Sequence, residues 1–134
     1  LAALGDEHGG RVALANPQTA PYGKAAIEYL SAEGVWDSVS RRAVYGENIN
    51  QALQFVATGN AAIGFIAKSQ LAAPQLPKAA CTWELPASSH SSLEQQGVLL
   101  ERAADNEGAR RFLDYLGSAA AHEILTRVGY GVSW

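Results

Sequence analysis

Arg11-Val12-Ala13-Leu14-Ala15-Asn16-Pro17-Gln18-Thr19-Ala20-Pro21-Tyr22-Gly23 decides the fold class of this chain. Its apolar run stops at Asn16-Pro17, the profile of a buried strand entering a loop. Pro21 suits the first turn of a helix, where its missing N–H would have had no partner. Ala25, Ala26, Ile27, Tyr29 and Leu30 then give a mostly apolar helical face, and Gly34 is placed to end it. The same grammar recurs downstream. Ala43-Val44-Tyr45 is a second short strand, stopped by Gly46, and Asn48-Ile49-Asn50-Gln51 has the form of a capping box, an N-cap side chain with Gln three residues on. Ala52, Leu53, Val56 and Ala57 follow at helical spacing until Gly59.

Outward from these two units, residues 35–40 read as a connector and 61–67 as a third apolar strand, followed by a helical turn over 68–72. Two prolines make 73–78 a loop, 81–85 is a fourth strand, and 87–92 is a polar, Ser-rich connector. A fifth strand is expected over 97–101. Two helices close the chain, one over 106–116 burying Ala109, Phe112, Leu113 and Leu116. The other covers 119–128, buries Ala120, Ile124, Leu125 and Val128, and ends at Gly129. Strands alternating with helices define an α/β fold with a largely parallel sheet.

Composition narrows the function. At 134 residues, 48% apolar and 17% charged, the chain has the makings of a globular core. No apolar run approaches the ~20 residues of a membrane-spanning helix. A net charge of -3 gives no reason to expect a nucleic-acid partner. The adjacent pairs Arg41-Arg42 and Arg110-Arg111 read as solvated surface charge. Cys81 is the only cysteine, so no intrachain disulfide or cysteine-rich metal site is available. His8, His90 and His122 lie far apart without metal-ligand spacing, and His122 reads as part of an exposed helix face. Ser88, Ser89 and His90 lack the strand–turn–helix elbow of a nucleophile and fit a polar connector better. There is no phosphate-binding glycine loop, and the carboxylates are dispersed. The residues favour binding over catalysis.

The informative features are the turns before the first two helices, 19–23 and 46–50. A helix N-terminus presents unpaired N–H groups and a partial positive charge, so it holds anions without basic side chains. Both turns follow strands, and in an α/β sheet such turns lie at the carboxyl ends, where ligands bind. They can converge on one anion through the backbone N–H groups of Tyr22 and Ile49. Periodicity alone favours two ordinary capped helices.

Residues 15–26 (ANPQTAPYGKAA) resemble the second-lobe motif of periplasmic molybdate-binding proteins, and 45–61 (YGENINQALQFVATGNA) is similar to the next segment of that family. Gly64-Phe65-Ile66-Ala67, Trp36-Asp37, Ala121-His122-Glu123-Ile124-Leu125 and Gly129-Tyr130-Gly131 fit as well, so the likeness runs over nearly the whole chain. The resemblance implies an oxyanion held between two lobes entirely by neutral hydrogen-bond donors. Its second-lobe donors would be the main-chain N–H groups of Tyr22 and Ile49. Some members add a Tyr hydroxyl at the position of Ala67, a contact alanine cannot make.

Nothing here matches the first lobe, with its Ser-containing loops. The expected architecture is therefore a type II periplasmic-binding-protein-like lobe within an incomplete two-lobed fold. Residues 1–93 would be the second lobe and oxyanion half-site. Residues 94–134, a strand and two helices, would be a return segment completing the first lobe, so the chain reads as a piece of a longer protein. The function implied is that of the solute-binding component of an ABC importer. It would capture molybdate or tungstate in the periplasm or cell envelope and deliver it to a membrane permease, with no catalysis, cofactor, metal-ion site or nucleic acid. The alternative is the effector-binding domain of a transcription regulator with a similar two-lobed fold. Apolar side chains of 94–134 left without a first-lobe sheet imply self-association through that tail.

Overall fold

Val12–Ala15 forms β1, and all four of its residues are buried. The structure, a computed structural model, describes residues 2–6, 8–73, 76 and 79–132. β1 is the centre of a parallel sheet. On one side lies β2 (Ala43–Gly46), paired from Val12↔Ala43 to Ala15↔Gly46. On the other lies β3 (Ile63–Gly64), paired Val12↔Ile63 and Ala13↔Gly64. The chain leaves β1 through α2 (Pro21–Ala32) and α3 (Trp36–Ser40) to reach β2, then crosses back past β1 through α4 (Ile49–Ala57) to β3.

Crossovers between parallel strands are right-handed almost without exception, so two that run in opposite directions put α2 and α4 on opposite faces. The side chains agree, because neighbours along a strand point to opposite faces. Val12 and Leu14 pack with Ala26, Tyr29 and Leu30 of α2 and Val39 of α3 in the core. On the other face, the space beside Ala13 and Gly64 is filled by Val56 of α4. Leu14, Leu30, Val12 and Val39 are fully buried, each worth about 1.5–3 kcal/mol relative to exposure. Gly34 and Gly59 follow α2 and α4 with φ of 70° and 76°, as expected of helix-ending glycines.

Several local expectations need correction. Residues 36–40 are α3, not a connector: Val39 is fully buried and Trp36, three residues earlier, packs against the same core. Five residues are too few to show a helical period, and such a turn is held by packing. The third strand shrinks from 61–67 to Ile63–Gly64, although the Phe65 N–H still donates to the Ala13 carbonyl at 3.0 Å. Residues 81–85 and 97–101 form no strands, and Glu101–Ala103 is a 3-10 turn. A strand exists only where a neighbour exchanges hydrogen bonds with it. Neither segment pairs with another among the described residues. The expected turn after β3 is present as a 3-10 turn, Lys68–Ala72. Pro74, Gln75, Pro77 and Lys78 of the expected loop over 73–78 lie outside the described residues.

Arg42 is not a solvated charge. It is half-buried and donates to the Gly10 carbonyl at 2.6 Å and to the Ala3 and Leu4 carbonyls. The latter two belong to α1 (Ala2–Gly5), whose last carbonyls have no helical partners and attract a cation.

The chain divides into two compact units, Leu1–Leu93 and Glu94–Trp134. The second holds α5 (Glu107–Leu116), capped by Asn106, and α6 (Ala119–Arg127), capped by Ser118. Ala121 is its only buried residue among those described, whereas Phe112 is 63% exposed, Ile124 50% and Val98 79%. Phe112, Ile124 and Ala120 are thus exposed where burial was expected, because two helices bury only the seam between them. His122, expected on an exposed face, is half-buried. No helix among the described residues is long and apolar enough to cross a membrane.

Candidate functional site

The carboxyl ends of β1 and β2 lie side by side, and each opens into a helix start. The Asn16 N–H donates to the Gly46 carbonyl at 2.7 Å, one step past the last ladder pair. Asn16 then turns the chain: its Oδ1 accepts from the Gln18 N–H at 2.9 Å, and its carbonyl accepts from the N–H groups of Thr19 and Ala20. Ala20 is the N-cap of α2 and supplies no side-chain acceptor, and Pro21 brings no N–H. Tyr22, half-buried, is the second residue of the helix. Gly23 lets this turn sit against the strand end, since a Cβ there would lie 2.1 Å from the Ala15 carbonyl oxygen.

The start of α4 is more fully determined. Asn48 Oδ1 accepts from the N–H groups of Asn50 at 3.0 Å and Gln51 at 3.1 Å, and the Asn48 carbonyl accepts from Ala52 at 3.2 Å. Gln51 Oε1 accepts from the Glu47 N–H at 2.6 Å, so the box closes one residue before the N-cap. Thr19 Oγ1 donates to the Glu47 carbonyl at 3.1 Å, tying the two turns together. Two donors of this helix start remain: the N–H groups of Asn48 and Ile49 have no acceptor among the described residues. Gly46 permits the close approach, because a Cβ there would lie 2.7 Å from the Ala52 nitrogen.

Both expected site residues therefore stand in first turns, Tyr22 second in α2 and Ile49 first in α4, on turns joined by a hydrogen bond. Reading the sequence left Thr19 without a role and gave none to Gln70, which touches Ile49 from the turn after β3. A hydroxyl one residue before an N-cap was the available signal for Thr19; the Gln70 contact spans 21 residues and leaves no local signal.

A separate cleft of about 390 Å³ lies beside α2, lined by Pro17 to Pro21, Lys24, Ala25 and Ser91 to Leu93. Neither Tyr22 nor Ile49 lines it. Its outer wall is pinned by Glu28, whose carboxylate accepts from the Ser91 N–H at 2.6 Å and the Ser91 hydroxyl at 3.0 Å. These bonds, the backbone one foremost, hold the Glu28 carboxyl below its ordinary range, with help from Lys24 at 3.9 Å. The Ser-His stretch shows no catalytic pairing. Ser89 Oγ donates to the Pro86 carbonyl at 2.6 Å, and His90 Nδ1 lies 2.9 Å from the Ser91 carbonyl oxygen. No group of metal-ligating side chains occurs among the described residues.

Two helix N-termini side by side at the carboxyl ends of adjacent parallel strands define a class of small-ligand-binding α/β domains. The chain belongs to the bacterial extracellular solute-binding protein family, whose model matches residues 1–131. It is 39% identical over 119 residues to the molybdate-binding protein ModA of Rhodobacter capsulatus, covering 89% of this chain and 46% of that protein. The molybdate-binding protein ModA of Azotobacter vinelandii is 38% identical over 121 residues, covering 90% of this chain and 48% of its own length. The solved structure of the Azotobacter vinelandii periplasmic molybdate-binding protein superposes with a TM-score of 0.82 at 28% identity, over 92% of this chain and 55% of that one. The chain thus spans about half the length of the relatives it matches. The fold is that of a periplasmic-binding-protein-like lobe, as the resemblance implied, and the family is one of solute-binding proteins, not enzymes.

Proposed function

We propose that residues 1–93 supply one half of an oxyanion site, with the Tyr22 and Ile49 N–H groups as donors to a tetrahedral dianion, molybdate or tungstate. The observation that carries this reading is the start of α4, where the N–H groups of Asn50 and Gln51 are satisfied and the Ile49 N–H, the first of the helix, has no acceptor among the described residues. The Thr19–Glu47 bond supports convergence of the two turns, and the relatives named as molybdate-binding proteins supply the ligand class. The remaining donors would come from sequence equivalent to the other half of the relatives. Residues 94–134 would return to that half. The whole protein would serve an ABC importer in the periplasm or cell envelope and hand the anion to its permease.

Calorimetric titration with molybdate, tungstate and sulfate, on this chain and on a protein of the relatives' full length, tests the proposal. A hydrogen bond to a charged group is worth ~1.5–3 kcal/mol. A half-site lacking about three of them should bind at least roughly a thousandfold more weakly than the whole. Sub-micromolar molybdate binding to this chain as a monomer would defeat the half-site reading.

A further inference from the structure

Gln70 stands in the 3-10 turn after β3, half-buried, and uses both ends of its amide. Its Oε1 accepts from the Ala67 N–H at 2.9 Å. Its Nε2 donates to Asn50 Oδ1 at 2.9 Å and to the Ile49 carbonyl at 3.3 Å. One side chain thereby joins the turn that leaves β3 to the first residues of α4. Seen from Ile49, the frame is closed on three sides. Asn48 and Gln51 fix it from within the helix start, Thr19 holds the Glu47 carbonyl from the α2 side, and Gln70 holds the Ile49 carbonyl and the Asn50 side chain from the β3 side.

We infer that Gln70 is a positioning residue for the oxyanion site, acting on the ligand only through residue Ile49, whose carbonyl it holds and whose N–H is the proposed donor. The inference rests on the anion reading above. A donor fixed before the ligand arrives loses little freedom on binding, so affinity depends on what fixes it. The chemistry also explains why glutamine stands here. The position needs an acceptor toward Ala67 and a donor toward Ile49 and Asn50 at once. A neutral amide supplies both; an ionised carboxylate supplies only acceptors and adds negative charge beside an anion site. A protonated carboxyl again supplies both.

That difference gives a test on the isotope-labelled 134-residue chain, with sodium molybdate as the probe. In the ligand-free chain the Ile49 amide resonance should move in both Gln70→Ala and Gln70→Glu. On lowering the pH through the carboxylate range it should return toward the wild-type position in Gln70→Glu alone. A merely structural role would lower thermal stability in both variants without that pH-dependent recovery at Ile49. Molybdate should shift the Ile49 amide in the wild type, with the apparent Kd rising about fivefold in Gln70→Ala, the scale of one neutral hydrogen bond. An Ile49 amide unmoved in both variants overturns the inference. A wild-type Ile49 amide indifferent to molybdate, alongside the expected response to Gln70 substitution, overturns the anion reading instead and removes the ligand role of Gln70 with it. If Gln70→Ala does not fold, the pH response of Gln70→Glu decides alone.

Discussion

Replacing Ile49 by proline removes one N–H from this chain and little else. Ile49 is the first residue of α4, the helical position that proline tolerates best, and its N–H has no acceptor to lose among the described residues. The residue before a proline must be extended, and Asn48 already is, at φ -148° and ψ 176°. The Ile49 carbonyl, bonded by Gln70, stays in place. The folding cost should therefore be that of trimming a half-buried side chain, within about 1.5 kcal/mol. Binding should suffer more. On the oxyanion reading the deleted donor bonds a dianion and contributes ~1.5–3 kcal/mol, so molybdate affinity should fall about ten- to a hundredfold. Urea unfolding measures the first quantity, and a titration followed by NMR, suited to weak binding, measures the second. A folded Ile49→Pro chain that binds molybdate as well as the wild type would refute the assignment.

Tyr22→Ala keeps its N–H and should weaken binding less than Ile49→Pro in the same titration; equal losses would mean that the ring, not the backbone, holds the anion. Gly23→Ala places a Cβ 2.1 Å from the Ala15 carbonyl oxygen, so the α2 start must retreat by about 1 Å; urea unfolding should show a loss of about 1–3 kcal/mol despite alanine's better helix propensity. Gly5→Ala, with nothing within 4 Å of the added carbon, is the control and should be neutral or mildly stabilising. Glu28 binds its proton more weakly in the folded chain than in the unfolded one. Its contribution is therefore complete above the ordinary carboxylate value and fades as pH falls through the depressed folded value, releasing Ser91, whose amide shift reports it. Sedimentation with and without residues 94–134 tests the tail: exposed Phe112, Ile124 and Val98 should drive association, and a tail-bearing monomer at high concentration would count against it.

Much of the fold was legible because its signals are local. Pro21 marks a helix start, Asn48 with Gln51 marks another, and Gly34 and Gly59 mark two ends, each through backbone chemistry within a few residues. The first-turn positions of Tyr22 and Ile49 were legible for the same reason, since a first-turn residue is identified by counting from the cap. What the sequence hid is what tertiary neighbours decide. Val39 makes residues 36–40 helical by filling the core beside Leu30, and 81–85 fails to be a strand because no ladder partner meets it among the described residues. Arg42 looks like any surface arginine until the carbonyls of α1 lie beside it.

On the oxyanion reading, the geometry of the two turns would bear on selectivity. Their spacing is set by adjacent parallel strands, which lie about 4.8 Å apart, through the pair Ala15↔Gly46 at the ladder's end. The helix starts are pressed onto those strand ends by backbone contacts that only Gly23 and Gly46 allow. Thr19 and Gln70 then lock the turns from either side. At Ile49 the Gln70 contact engages the backbone carbonyl, not the side chain. Donors placed by the sheet form a caliper whose gap is a property of the backbone, and an N–H···O bond is confined to a donor–acceptor range of about 2.7–3.2 Å and weakens steeply as it bends below about 120°. On the oxyanion reading, discrimination between tetrahedral dianions of equal charge but different size therefore resides in Gly23, Gly46, Thr19 and Gln70. Substitutions there should change the ratio of affinities for molybdate and sulfate, whereas side-chain changes at Tyr22 and Ile49 that spare the N–H should leave that ratio nearly constant.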